Sequence, residues 1–157
     1  MKTFISLAAI MLLTAGATQA NVFGRCAPNK TTYLASDTGV STTSTTYVDV
    51  SNGTVRFLQG GTGPSCVVVE FSAATAVMNN VLYVRALILD IGAGTPTEAI
   101  YGGDAFEDGN LHYGAHAMAF VFPNVAPGRH FVQMQMRTVN NQYGAEIQHH
   151  TILVMHQ

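Results

Sequence analysis

The apolar residues of this chain recur with a period of two, and that period decides what it can fold into. Between Gly128 and Arg137, Val132, Met134 and Met136 alternate with Gln133, Gln135 and Arg137, the pattern of a strand with one face on a core. Between Tyr113 and Phe122 the large side chains His116, Met118, Phe120 and Phe122 alternate with Ala115, Ala117, Ala119 and Val121, which assigns the larger set to the core. Beyond residue 20 no stretch carries an apolar stripe at a period near 3.6, so no helix of useful length is expected.

Turn chemistry divides the rest into further strands. Tyr47–Val50, the signal Ser51-Asn52-Gly53 and Thr54–Leu58 read as a hairpin. Gly60-Gly61-Thr62-Gly63-Pro64 breaks the chain before a β-branched run from Cys66 to Phe71. Leu82–Ile91 is apolar on both faces except for Arg85 and Asp90, as a central strand is. A loop rich in Gly and acid spans 92–110, with a short strand expected at Glu98–Tyr101. Pro123 to Gly128 is a turn whose glycine suits a positive φ, and Asn140 to Gly144 turns into a last strand, Ala145–Met155. Seven or eight strands at this spacing predict an all-β fold, a single antiparallel β-sandwich of jelly-roll or immunoglobulin-like type.

The N-terminus has a different character. Lys2 precedes an apolar run from Phe4 to Leu13 and then small residues up to Ala20, the layout of a signal peptide and too short for a bilayer. Cleavage after Ala17 or Ala20 fits. From Thr31 to Thr46, ten of sixteen positions are Ser or Thr, which reads as an extended arm. The expected organisation is a signal peptide at 1–20, a Ser/Thr-rich arm at 21–44 and a β-sandwich domain at 45–157. Export places Cys26 and Cys66 where thiols oxidise, and a bridge between them would tie the arm to the strand starting at Cys66. The expected location is therefore secreted or periplasmic, with no membrane insertion after cleavage.

Charge narrows the partners. Lys and Arg number 7 against 9 Asp and Glu, so no basic patch is available for a nucleic-acid backbone. The six histidines invite a metal reading. His112 and His116 are four apart, about 13 Å along a strand, so a shared ion would need cross-strand partners such as His130, His149 or His150. His149 and His150 point to opposite faces unless a bulge intervenes. Asp104, Glu107 and Asp108 gather oxygen ligands in the acidic loop without matching an EF-hand. Tyr101 and Tyr113 flank that loop and are the candidates for stacking on a sugar, since the chain has no Trp. No Ser or Cys sits in a nucleophile elbow, so no enzyme activity and no cofactor are expected.

The segments Thr46-Tyr47-Val48-Asp49-Val50, Val67-Val68-Val69-Glu70-Phe71 and Val125-Ala126-Pro127-Gly128 leading into Arg129–Arg137 resemble small β-sandwich domains of uncharacterised exported bacterial proteins and phage tail proteins. The resemblance covers about residues 45–156 and implies a binding or assembly module, with no catalytic residue attached to it. The function expected from the sequence is thus a secreted or periplasmic, non-catalytic module that binds a protein or glycan partner or forms a homo-oligomer. The alternatives are a metal-binding protein or metal-dependent enzyme using the histidines, and a carbohydrate-binding module.

Overall fold

The alternating segments form long antiparallel strands, and strand order decides between the two expected sandwiches. The computed structural model describes residues 26–91, 95–100, 105–109 and 112–157. The signal-peptide assignment and the candidates Tyr101 and Asp104 lie outside the described residues. The elements are β1 (Lys30–Ser36), β2 (Val40–Thr42), β3 (Val48–Gln59), β4 (Ser65–Val77), β5 (Val81–Asp90), β6 (Thr97–Glu98), β7 (Ala105–Asp108), β8 (Gly114–Val125), β9 (Gly128–Thr138) and β10 (Ala145–His156). Among the described residues there is no helix.

One sheet runs β1-β10-β4-β8, with β2 also on β10, and the other runs β3-β9-β5-β6, with β7 also on β5. Every pairing is antiparallel, and the pairs nest in sequence: β1 with β10, β3 with β9, β4 with β8, β5 with β6 and β7. Such nesting is that of one long hairpin rolled up so that its successive pairs fall alternately in two sheets, which is a jelly roll. The chain is therefore an all-β sandwich of jelly-roll rather than immunoglobulin-like order.

Side chains on the facing sides fill the space between the sheets. Phe71, Phe120, Phe122, Leu82, Ile147 and Ile152 are fully buried there, each worth roughly 1.5–3 kcal/mol of transfer free energy. The even-numbered positions of β8 and β9 reach this core as the alternation predicts: Phe120, Phe122, Val132, Met134 and Met136 are all buried.

Three expectations are corrected. The predicted hairpin at 47–58 is a single strand, β3, in which Asp49 opposes Gln135 and Thr54 opposes Gln133. The extra residues form a bulge, with Asn52 at φ 56°. Gly53 is required there, since a Cβ would stand 2.7 Å from the Val50 carbonyl oxygen and 2.8 Å from Val50 Cβ. Asn-Gly signals a positive φ, which a bulge uses as readily as a turn.

Secondly, the Ser/Thr-rich segment does not stand apart from the sandwich. Lys30–Ser36 pairs residue by residue with His156–His150, and Val40–Thr42 pairs with Ile147–Ala145. Backbone hydrogen bonds to β10 hold it, and only alternate side chains such as Leu34 and Val40 pack on the core. Thirdly, β8 runs on through Pro123 to Val125. Its ladder pairs only β4, with a register shift next to the proline, and an edge strand tolerates the missing N–H.

The Cys26–Cys66 disulfide is present, with Cα atoms 5.3 Å apart. Thr31 pairs with Met155 and Met155 with Val68, so the bridge reaches from the chain entering β1 across the end of β10 to β4. It fastens the edge strand to the sheet interior.

Candidate functional site

Cross-strand register gives the two outer faces different chemistry. On the β3-β9-β5 sheet, Arg85 lies 4.0 Å from the Tyr47 ring centroid, and Arg137 lies 4.3 Å from that of Tyr83 and 5.2 Å from that of Tyr47. Arg85 Nε donates to Gln135 Oε1 at 2.8 Å, and Gln135 Nε2 donates to Asp49 Oδ1 at 2.8 Å. Guanidinium groups thus already occupy the tyrosine faces. Glu98 on β6 completes the array 3.5 Å from Arg85 Nη1.

The outer face of the β1-β10-β4-β8 sheet is far less polar. Reading across the strands, one row is Thr31, Met155, Val68 and Val121, and the next is Tyr33, Leu153, Glu70 and Ala119. Glu70 is the one ionisable group in these rows other than the Tyr33 phenol. No described strand covers this face, and Tyr33 is 62% exposed. A third row, Ala35, Thr151, Ser72 and Ala117, is small and joined by a Ser72–Thr151 hydroxyl hydrogen bond of 2.5 Å.

Beyond those rows the same face turns polar. Tyr113 OH donates to Glu146 Oε2 at 2.6 Å, and Gln148 Nε2 donates to Glu146 Oε1 at 2.7 Å and to Tyr113 OH at 2.8 Å. The Tyr113 hydrogen bond, seconded by that of Gln148, holds the Glu146 carboxyl below its ordinary pKa. The same carboxylate raises that of Tyr113. The sugar-stacking candidate Tyr113 therefore has its hydroxyl committed while its ring is half exposed.

The histidines are dispersed. His130 Nδ1–H donates to Asp90 Oδ1 at 2.6 Å and its Nε2–H to the Ala126 carbonyl at 2.8 Å. The two contacts hold the ring from both sides. Phe57 stacks on His130 at 5.3 Å and meets His156 at 5.2 Å on its other side. The sequence reading passed over His156, whose Nδ1–H donates to the Gln157 carbonyl at 3.0 Å while Nε2 accepts from Thr32 Oγ1 at 3.0 Å.

His149 and His150 are separated by the bulge that the sequence left open. His149 has φ 43° and is the unpaired residue between Gln148 and His150. It is exposed, and His150 turns fully into the core against Phe71, ring centroids 5.8 Å apart. His150 Nε2–H donates to the Asn52 carbonyl at 3.4 Å. The bulges of β10 and β3 thus meet across the interior. Desolvation pushes the His150 pKa below the ordinary value, against a smaller upward pull from that carbonyl.

Of the acidic loop, Glu107 is buried under β8, with His116 Nε2 3.8 Å from its Oε1. Among the described residues neither Glu107 oxygen has a hydrogen-bond partner. Asp108 pairs in register with Val81 and is exposed, and His112 is exposed at the entry to β8. Among the described residues no three of His, Cys, Asp and Glu converge as a metal would need.

A cavity of about 570 Å³ opens at the corner where the β1 edge of one sheet meets the β3 edge of the other. Phe57, His130 and His156 line it from the interior, and Arg56, Arg129 and Lys30 stand round it with Leu58, Ile91 and Phe131. Arg56 lies 5.1 Å from the Phe131 ring centroid. No motif announces this grouping. It depends on β3–β9 register, which sets Arg56 opposite Phe131 and Leu58 opposite Arg129.

No protein-family model matches the chain, and no curated protein matches it. Among solved structures, the chain is similar to the infectious bursal virus protein of derived T=1 particles, with a TM-score of 0.52 at 12% identity, over 96% of this chain and 36% of that one. The VP2 subviral particle of infectious bursal disease virus gives a TM-score of 0.48 at 9% identity, over 82% of this chain and 34% of that one. A family two carbohydrate esterase from Cellvibrio japonicus gives 0.30 at 15% identity, over 82% and 34%. The chain spans about a third of the length of these proteins, and at 12% identity the likeness to the T=1 particle protein is one of fold alone.

Proposed function

We propose that this chain is an exported, non-catalytic jelly-roll module that assembles with copies of itself through the outer face of the β1-β10-β4-β8 sheet. The observation that carries this reading is the pair of rows built from Met155, Val68, Val121, Tyr33, Leu153 and Ala119, which hold one carboxylate and no cation. An apolar, nearly uncharged sheet face marks a contact surface, and the alanines of β8 keep it low enough for a second sheet to approach. The opposite outer face, with its arginines, Gln135 and Asp49, is suited to water.

The disulfide supports an oxidising compartment, and the signal-like N-terminus supports export. The T=1 particle protein shares the fold, which supports assembly as one use of it. Light scattering on the oxidised protein over a wide concentration range tests the reading. A mass that rises with concentration to a defined multiple of the monomer is the expected result, and a monomer mass throughout would overturn it.

A further inference from the structure

We infer that the corner cavity between the β1 and β3 edges binds an amphipathic organic anion: a carboxylate, sulfate or sulfonate carried on an apolar ring or chain. The distribution of charge makes the case. In a chain with 7 Lys and Arg against 9 Asp and Glu, Lys30, Arg56 and Arg129 all stand at this one opening. The ion pairs among the described residues engage Arg85, His116 and His130 and none of these three. Asp90 is taken up by His130, and the Gln157 main-chain oxygen, on the Lys30 side of the corner, accepts from the Gly60 N–H and from His156. The other described cations, Arg85 and Arg137, are stacked on tyrosines. Among the described residues, Arg56 and Arg129 are thus left without an acidic partner at this opening.

The apolar half of the ligand is specified by the same register. Leu58 and Ile91, 59% and 58% exposed, both border this opening. Arg56 opposite Phe131 and Leu58 opposite Arg129 form a checkerboard that sets each guanidinium beside an apolar side chain. A guanidinium fork matches a carboxylate or sulfate in two-point geometry, and the neighbouring apolar surface takes the body of the ligand. The size, about 570 Å³, suits one small molecule rather than a macromolecular surface. The inference is independent of whether the chain assembles, because Arg56, Leu58, Arg129 and Phe131 belong to β3 and β9 of the other sheet.

Fluorescence titration with 8-anilinonaphthalene-1-sulfonate tests it, with uncharged N-phenyl-1-naphthylamine as the same apolar body without the anion. The expected result is one saturable site for the sulfonate, weakened at least about tenfold in the double variant Arg56→Gln/Arg129→Gln. Binding of the uncharged probe should be weaker and unchanged by the substitutions. Both arginines are on the surface, so the melting temperature of the variant should match that of the parent. Equal affinity for the two probes, unaltered sulfonate binding in the double variant, or no saturable binding of the sulfonate would each overturn the inference.

Discussion

Replacing Asn80 with alanine should cost about 3 kcal/mol of folding stability, through loss of a single hydrogen-bond node. Asn80 lies in the β4–β5 turn and is 5% exposed. Its Oδ1 accepts from the backbone N–H of Val81 at 2.9 Å, Val139 at 3.1 Å and Asn140 at 3.3 Å. Its Nδ2 donates to the carbonyls of Asn140 and Tyr143. One side chain therefore joins the β4–β5 turn to the β9–β10 turn at the same end of the sandwich. Each such bond is worth about 0.5–1.5 kcal/mol net, and the total falls at the low end because water reaches the turn near the exposed Val139. Urea unfolding with linear extrapolation measures the loss, which corresponds to roughly 10 °C in melting temperature. Asn80→Asp supplies the control. It keeps the acceptor but sets a carboxylate against two carbonyls, so its stability relative to the parent should recover as acid protonates it. A loss below about 1 kcal/mol in the alanine variant, or an aspartate variant as stable as the parent at neutral pH, would refute the reasoning.

Further outcomes follow from other contacts. Cys26→Ser with Cys66→Ser opens a loop of 40 residues and should lower stability by about 4 kcal/mol on the chain-entropy account; denaturant unfolding measures the loss, and faster amide exchange in β1 than in β4 should accompany it. His150 is buried with a depressed pKa, so the unfolded chain binds the proton more readily. Its contribution is fully present above the ordinary value near 6.5 and is lost as pH falls below it, so unfolding free energy measured from pH 7 to 5 should fall less steeply in His150→Leu than in the parent. Tyr113→Phe removes the principal bond holding down Glu146, and an NMR titration should find the Glu146 carboxyl raised.

The core was legible because alternation is a local property. Phe120, Phe122, Val132, Met134 and Met136 were placed by sequence neighbours alone, and all are buried. The hairpin at Ser51-Asn52-Gly53 misled because Asn-Gly reports a backbone angle, whereas the choice between turning and bulging rests with the pairing of β3 on β9. The Ser/Thr-rich segment misled for a related reason: β1 is held at the edge by backbone bonds to β10, and of its half-buried positions Thr32, Leu34 and Ser36 only one is apolar, which leaves no alternation to read. Of the candidate residues, His116 and Glu107 do meet, while His130 finds Asp90 rather than another histidine. The cationic corner was invisible because Lys30, Arg56 and Arg129 belong to three strands that only the jelly-roll order brings together.

The central claim, assembly through the outer face of the β1-β10-β4-β8 sheet, is tested most directly by sedimentation equilibrium of Leu153→Glu beside the parent. Leu153 lies between Tyr33 and Glu70 in the middle of that face, so the substitution adds a second carboxylate there and leaves the core-facing Ile152 and Val154 untouched. The account predicts an associating parent and a folded, monomeric variant. A variant that associates as strongly as the parent would contradict it.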